Sequence, residues 1–321
     1  MRSREPEGRF SLQRNGEGAV ERSAEGPRSA SSVEALRGAS DAFQCFSALR
    51  HLVYQRTGLL LGEQKRAPVQ RHVRDRMRVL DLDREERFVN YLRFFDPQGE
   101  EFQRLINRVT VNETYFFRDF PQLQSFAEGC LPELVAGCWQ VGRQELRLLS
   151  AGCATGEEPY TLAIILLEML EDPSPAFEIV AMDIDDGVLE CARRGRYDRR
   201  AVKDVPKRYL ERYFDRMGEH FLLRDEVKRR VRFLHGNLSD PRDVERLGAG
   251  FDAVFCRNVL IYFDDEARQR VVERFFHMLR PGGYIFLGHA EPLSRISDRF
   301  RVRRSRSMVL YQKPHPGRER S

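Results

Sequence analysis

Two glycines and two acids set close together hold the chemistry most readily read from this chain. In Ala151-Gly-Cys-Ala-Thr-Gly-Glu-Glu-Pro-Tyr160, Gly152 and Gly156 permit a tight turn and close approach of a ligand to the backbone. Pro159 suits the first turn of a helix, where its missing N–H loses nothing. Such a turn commonly brings a nucleotide phosphate to a helix N-terminus. Here Glu157 and Glu158 stand where the phosphate would lie, and their charge welcomes a cation instead, such as the amino group and sulfonium of S-adenosylmethionine. Asp183 ends the apolar run 177–182, where an acid can accept hydrogen bonds from both ribose hydroxyls of an adenosine. Asn237 follows the run 231–234 and can read an adenine edge, while Arg257, Asn258 and Tyr262 follow the run 251–256. Apolar runs that each end in polar side chains describe one site rather than scattered turn residues.

Elements must exist to bring those ends together. Strands are expected at 146–150, 177–182, 231–234, 251–256 and 284–287, with helices at roughly 157–171, 186–194 and 264–280. Alternation of this kind implies an α/β fold with a doubly wound, mainly parallel sheet, whose strand carboxyl ends gather ligand-binding residues. Runs 300–303 and 308–312 read as an antiparallel hairpin added at one edge. Segment 198–230 breaks the rhythm: it is charged, holds Tyr209, Tyr213, Phe214 and Phe221, and has a turn signal at Met217-Gly218. It reads as an inserted helix plus a small β-hairpin. The sheet domain spans 145–313, joined through a linker and helix at 111–144 to a small all-α domain at 41–110. There Phe43, Phe46, Leu49 and Val53 form one helical stripe and Phe88, Tyr91, Leu92 and Phe95 another. Arg71, Arg74 and Arg78 share a face between them. Residues 1–40 have Phe10 as their only aromatic and too little apolar surface to offset the entropy of ordering, so a disordered tail is expected there. Residues 314–321 read as a second tail.

The totals narrow the classes of function. A chain of 321 residues with 41% hydrophobic content can bury a core. No apolar run approaches the roughly 20 residues that span a bilayer, and the charged amino terminus lacks a signal-peptide core, so the expected location is cytoplasmic. Six scattered cysteines without a C-x-x-C pair argue against a disulfide framework or zinc site, and no metal is expected. The net charge of +5 is unevenly spread. Residues 299–320 carry eight basic residues and one acid, and a second cluster comprises Lys65, Arg66, Arg71, Arg74, Arg76 and Arg78. Local patches of this kind suit acidic partners without demanding nucleic acid.

Five segments resemble the CheR family of chemotaxis receptor methyltransferases. They are Asn112-Glu-Thr-Tyr-Phe-Phe-Arg118, the glycine turn itself, Ala181-Met-Asp-Ile-Asp185, Cys256-Arg-Asn-Val-Leu-Ile-Tyr-Phe263, and the run from Leu279 to Glu291. The first is the most specific, since a polar N-x-T followed by aromatics and an arginine is not a general feature of nucleotide-binding sheets. The likeness extends to Tyr54-Gln-Arg-Thr-Gly58 and Lys65-Arg66 and covers about residues 43 to 313. It implies a class I S-adenosylmethionine-dependent enzyme, with S-adenosylhomocysteine as product, that converts glutamates of the cytoplasmic helical region of chemoreceptors into γ-methyl esters. On this resemblance, Asn112, Thr114 and Arg118 approach the cofactor from the interdomain side, with Gly152 at the turn. Glu157 holds its amino group, Asp183 its ribose, and Asn237, Leu238, Arg257 and Asn258 line the remainder. Arg118 and Tyr262 lie closest to the transferred methyl. Arg71, Arg74 and Arg78 dock the acidic receptor helix, and the enzyme is expected to be a monomer that neither enters the membrane nor binds nucleic acid.

Two departures from the family pattern stand out. Its GHSE segment reads Gly288-His-Ala-Glu291 here. The hairpin insertion 214–226 is shorter than in members that tether to a receptor's terminal pentapeptide, so that tethering is not expected. The alternative is a methyltransferase of nucleic acid or a small molecule on the same cofactor domain. The basic cluster favours it, and the absence of an Asn/Asp-Pro-Pro-Tyr loop opposes it. A non-catalytic scaffold would require decay at the cofactor positions, which are intact.

Overall fold

Apolar residues recurring every three or four positions fold the first part of the chain into helices that each bury one face. The computed structural model describes residues 30–170, 176–305 and 308–315. The expected tails lie outside the described residues over 1–29 and 316–321, while residues 30–40, expected within the first tail, are helical. The helices are α1 (Ala30–Thr57), α2 (Arg66–Val79), α3 (Glu85–Phe94) and α4 (Glu100–Val109). Phe46, Leu49 and Val53 of α1 meet Val69 and Val73 of α2, Phe88 and Leu92 of α3, and Leu105 and Ile106 of α4 in one core. Phe95 of the expected stripes stays exposed because it follows the last turn of α3, and the side chain of Phe43 is not among those described. Glu101 on α4 is buried and accepts two hydrogen bonds from Arg76 on α2, at 2.7 and 2.6 Å. Arg76 is thus withdrawn from the basic surface to clamp two helices.

After the loop 110–119, α5 (Phe120–Ser125), a π turn at Phe126–Cys130 and α6 (Leu131–Gln140) follow one another without a break. The sheet domain then runs β1 (Glu145–Ala151), α7 (Glu157–Met169), β2 (Ala176–Asp183), α8 (Asp186–Arg194), β3 (Arg196–Tyr197), α9 (Lys207–Tyr213), β4 (Phe214–Met217), β5 (His220–Leu223) and α10 (Asp225–Lys228). It continues with β6 (Val231–His235), α11 (Pro241–Glu245), β7 (Phe251–Cys256), α12 (Asp265–Met278), β8 (Leu279–Leu287), β9 (Arg301–Ser305) and β10 (Met308–Gln312). Seven strands order as β6-β2-β1-β7-β8-β10-β9. The first five are parallel, and β10 runs antiparallel to both β8 and β9. The expected antiparallel edge is present, its connecting residues 306–307 lying outside the described residues.

Side chains alternate across the pleat. Leu148, Ile179, Phe255 and Phe286 face a core shared with α5, α6 and α7, while Leu149, Val180, Val254 and Ile285 face one shared with α12. Phe126 meets Phe255 and Phe286 edge-on at 5.2 and 5.6 Å, so Phe126→Ala would cost about 3–5 kcal/mol. The insertion contains the expected helix and hairpin, but β3 joins them in a three-stranded sheet ordered β3-β5-β4. Two residues are too short a run for periodicity to reveal. Among the described residues no helix is long and apolar enough to cross a membrane.

Candidate active site

The turn after β1 is left-handed at Gly152 (φ 79°), Ala154 (φ 46°) and Gly156 (φ 94°). A side chain on Gly152 would meet Val259 at 2.3 Å, so glycine is required on steric as well as torsional grounds. The turn is secured from the neighbouring strand end. Asp183 accepts from the Ala154 N–H at 2.8 Å on one carboxylate oxygen and from the Asp185 N–H at 3.0 Å on the other. Each oxygen keeps further accepting capacity, so Asp183 shapes the turn and still presents an acceptor. Burial pushes its carboxyl pKa up against the pull of those N–H donors.

A single cavity opens at these strand ends. Gly152, Asp183, Asn237, Leu238, Arg257 and Asn258 line it from the ends of β1, β2, β6 and β7. Asn112, Thr114 and Arg118 line it from the loop after α4, and Tyr262 from the short turn Leu260–Tyr262. Ten of the eleven sequence-identified cofactor and catalytic positions therefore surround one space. The exception is Glu157. It does not line this space: its carboxylate accepts from the Thr155 hydroxyl at 2.6 Å, and it lines an adjoining hollow with Tyr197, Asp198 and Arg200 that shares Asn112 and Thr114 with the cavity. Burial raises its pKa to about 7. The acid facing the cavity is its neighbour Glu158.

Glu158 accepts from the Ser150 hydroxyl at 2.8 Å and sits 3.5 Å from the Arg257 guanidinium. Burial pushes its carboxyl up, and Arg257 opposes that. Arg257 is itself buried, 4% exposed in its side chain. It donates to the Arg118 carbonyl at 2.7 Å and lies 3.7 Å from the Asp119 carboxylate. Its Nε is buried with no partner among the described residues. Arg118 stands between two non-glycine residues in the left-handed region, Phe117 (φ 60°) and Asp119 (φ 61°). Each costs of order 1–3 kcal/mol, which the surrounding contacts must hold. Burial raises the pKa of the Tyr262 phenol, with the Arg118 charge acting the other way.

The helical region supplies a wall that the sequence reading did not foresee. Leu59, Leu60 and Leu61, just after α1, line the cavity. The Leu60 N–H donates to the Tyr262 carbonyl at 2.8 Å, Leu59 bridges Phe263, and the Tyr54 hydroxyl donates to Asp264, the N-cap of α12. Asp185 fastens the other side, accepting from Thr110 at 2.7 Å and Asn112 at 2.9 Å while capping α8. Apolar residues in a short connection read as core, and an acid after a strand reads as a cap, so neither signals a site wall by type alone.

Arg71, Arg74 and Arg78 are exposed on α2, opposite its buried Val69 and Val73. They do not line the cavity. The start of α2 lies near its lining, however, where Lys65 reaches to 3.5 Å from the carbonyl of Thr110, a lining residue. Among the described residues no cluster of His, Cys, Asp or Glu could hold a metal ion.

The donor set suits S-adenosylmethionine. An unpartnered guanidinium nitrogen, an acceptor-bearing Asp183, a cavity acid and the amides of Asn112, Asn237 and Asn258 share a space with leucines, valines and tyrosines, the mixture an amphipathic nucleoside with a charged amino acid requires. A family model described as CheR methyltransferase, SAM binding domain, matches residues 112–309, and one described as CheR methyltransferase, all-alpha domain, matches residues 44–110. Chemotaxis protein methyltransferase 2 of Vibrio cholerae is 41% identical over 277 residues, covering 85% of this chain and 94% of the relative. The chemotaxis protein methyltransferase of Escherichia coli is 36% identical over 265 residues, covering 80% and 87%. A probable biofilm formation methyltransferase, WspC of Pseudomonas aeruginosa, is 38% identical over 243 residues, covering 75% of this chain and 55% of the relative.

Proposed function

This chain belongs to the CheR methyltransferase family, and from that premise and the cavity's geometry we propose how its residues divide the work of methylating chemoreceptor glutamates. The enzyme is an S-adenosylmethionine-dependent protein-glutamate O-methyltransferase. One observation carries the division of roles: the strand-end polar residues and the loop bearing Arg118 line a single cavity, with Tyr262 at the same space.

When bound, S-adenosylmethionine supplies a methyl group on a positively charged sulfur. The glutamate that receives it has an ordinary pKa of about 4.3 and is ionised at neutral pH, so no side chain need remove a proton. The protein's task is alignment, which alone can be worth several orders of magnitude. Asp183 accepts from the ribose hydroxyls, and Glu158, rather than Glu157, pairs with the amino group. Asn237 and Leu238 flank the adenine, while Arg257 and Asn258 close the remaining wall. Arg118 orients the incoming carboxylate through a charge-assisted hydrogen bond. Its own contact to the Glu113 carbonyl, at 2.8 Å, keeps that grip moderate, so the nucleophile is held without being over-stabilised. Tyr262, whose phenol burial pushes further up, adds a phenolic donor at the same position.

Arg71, Arg74 and Arg78 dock the acidic face of the receptor helix. The row from Arg71 to Arg78 spans about 10 Å along the helix axis, leading away from the end of α2 near the cavity lining. The short hairpin β4–β5 does not tether a terminal pentapeptide, the protein acts as a monomer, and it works in the cytoplasm where receptor signalling helices lie. Labelled methyl donor offered with a receptor cytoplasmic fragment, and separately with RNA, tests the substrate class. Label on the fragment that alkali releases supports the ester; alkali-stable label on RNA would overturn it.

A further inference from the structure

The segment after β8 touches both loops that hold the proposed catalytic residues. Gly288 to Glu291 form a turn closed by the Glu291 N–H donating to the Gly288 carbonyl at 3.0 Å. The Glu291 side chain, 4% exposed, then points back under the turn. One of its carboxylate oxygens accepts from the N–H groups of Gly288 and Asn258, both at 2.8 Å. The other accepts from the N–H of Ile261 at 3.1 Å. Three backbone donors thus converge on one carboxylate, two of them in the loop that ends in Tyr262. The space is fully used: a side chain on Gly288 would meet the Glu291 carboxylate at 2.6 Å and the Asn258 nitrogen at 2.9 Å. Asn258 is itself left-handed (φ 61°), a conformation that needs such holding. From the outer side of the same turn, His289 lies 2.9 Å from the Asp119 carboxylate, next to Arg118.

We propose that the turn Gly288–Glu291 is a bracket that registers the Arg118 loop against the Tyr262 loop, with Glu291 and His289 as positioning residues. The inference rests on the roles given above to Arg118 and Tyr262. Glu291 is the stronger arm, because its contacts are buried and charge-assisted. His289, 72% exposed in its side chain, is the weaker one. Neither touches the cavity, so their effect passes through the loops they hold.

Full-length Glu291→Ala, Glu291→Gln, His289→Ala and His289→Gln proteins provide the test. In ligand-free Glu291→Ala, amide hydrogen exchange at Gly288, Asn258 and Ile261 should accelerate well beyond that of the sheet. Its kcat at saturating cofactor should fall about 100-fold, the scale of an ångström's misplacement. S-adenosylhomocysteine affinity should change far less than kcat. Glu291→Gln should recover part of the loss, since its one carbonyl oxygen can still accept from Gly288 and Asn258. Exposed pairs are weak, so His289→Ala should lower kcat only about two- to fivefold, with His289→Gln restoring it. Unchanged exchange at the three amides, or a kcat loss no larger than the loss of product affinity, overturns the role of Glu291. Should Glu291→Ala fail to fold, Glu291→Gln and the surface variant His289→Ala decide the matter, and wild-type kcat in both overturns the bracket. A wild-type protein that binds S-adenosylhomocysteine but methylates no receptor fragment sinks the functional reading instead, and the exchange measurement still tests the bracket.

Discussion

At the strand-end wall of the cavity, charged groups are shielded and held by partners: Arg257 lies 3.5 Å from Glu158 and 3.7 Å from Asp119, and Asp183 takes two backbone N–H groups. On α2 the arrangement is reversed. Arg71 and Arg74 are exposed and have no hydrogen-bond or ion-pair partner among the described residues, and Arg78 leans only on Asp75 at 3.1 Å. Buried pairs fix geometry and are costly to break one partner at a time, whereas exposed unpaired charges fix nothing locally and project a field that salt can screen. Under the roles proposed above the two regions have separate duties: the cavity aligns reactants, and α2 selects and steers an acidic partner.

That separation breaks if one region's variants disturb the other's function. The largest effect is expected on α2. Changing Arg71, Arg74 and Arg78 together to Glu should lower kcat/KM for the receptor fragment by at least about 100-fold, since like charges facing across an interface cost several kcal/mol. S-adenosylhomocysteine affinity, measured by calorimetry, should stay near the wild-type value. Lost cofactor affinity, or undiminished receptor methylation, would make α2 a structural element or a merely solvated face. In the cavity, Asp183→Ala removes a charged acceptor worth about 1.5–3 kcal/mol, so product affinity should weaken roughly 10- to 100-fold. Receptor methylation at saturating cofactor should suffer less. An unchanged Kd would remove Asp183 from the ribose site.

The two regions were also unequally legible in the sequence. The central strands β1, β2 and β7 were visible as apolar runs within a residue of their observed bounds, because strands buried on both faces need near-continuous hydrophobicity, whereas β8 begins at Leu279, ahead of the expected 284, and β9 is an exposed, arginine-rich edge. The polar residues at their ends follow from that topology, which is why Asp183, Asn237, Arg257 and Asn258 could be named without coordinates. The α2 arginines were legible as a periodic face, but only the fold separates them from Arg76, whose side chain turns in to Glu101. Contacts made by backbone were invisible: three amides converging on Glu291, or the Leu60 N–H meeting the Tyr262 carbonyl, leave no trace in residue type. The adjacent acids 157 and 158 show the same limit. Consecutive helical residues point about 100° apart, so type and position cannot say which one faces the cavity.

Glu158→Gln sharpens that last point at moderate scale. Loss of one ion-paired hydrogen bond to the cofactor's amino group should weaken product affinity about tenfold. Glu157→Gln should leave it near the wild-type value. The reverse result would return the amino-group role to Glu157.

The smallest functional effect is expected at Glu157, where pH tests a contribution to stability instead. Burial lifts its folded-state pKa to about 7 from an ordinary 4.5. Between those values the folded protein keeps a proton that the unfolded chain has lost. Stability therefore falls as pH rises through this window and levels off above about 7. At 1.36 kcal/mol per unit the contribution amounts to a few kcal/mol across the window. Glu157→Gln, whose amide oxygen can still accept from Thr155, lacks that titration. Its stability relative to wild type should accordingly climb from pH 5 to pH 7 and then stay constant, as read from denaturant unfolding at each pH. Repeating the series with saturating S-adenosylhomocysteine decides between the two acids. If the ligand's ammonium binds at Glu158, the Glu157 slope persists in its presence. An ammonium placed against Glu157 would pull its pKa back down and flatten the slope, and that outcome would join Glu157 to the cavity after all.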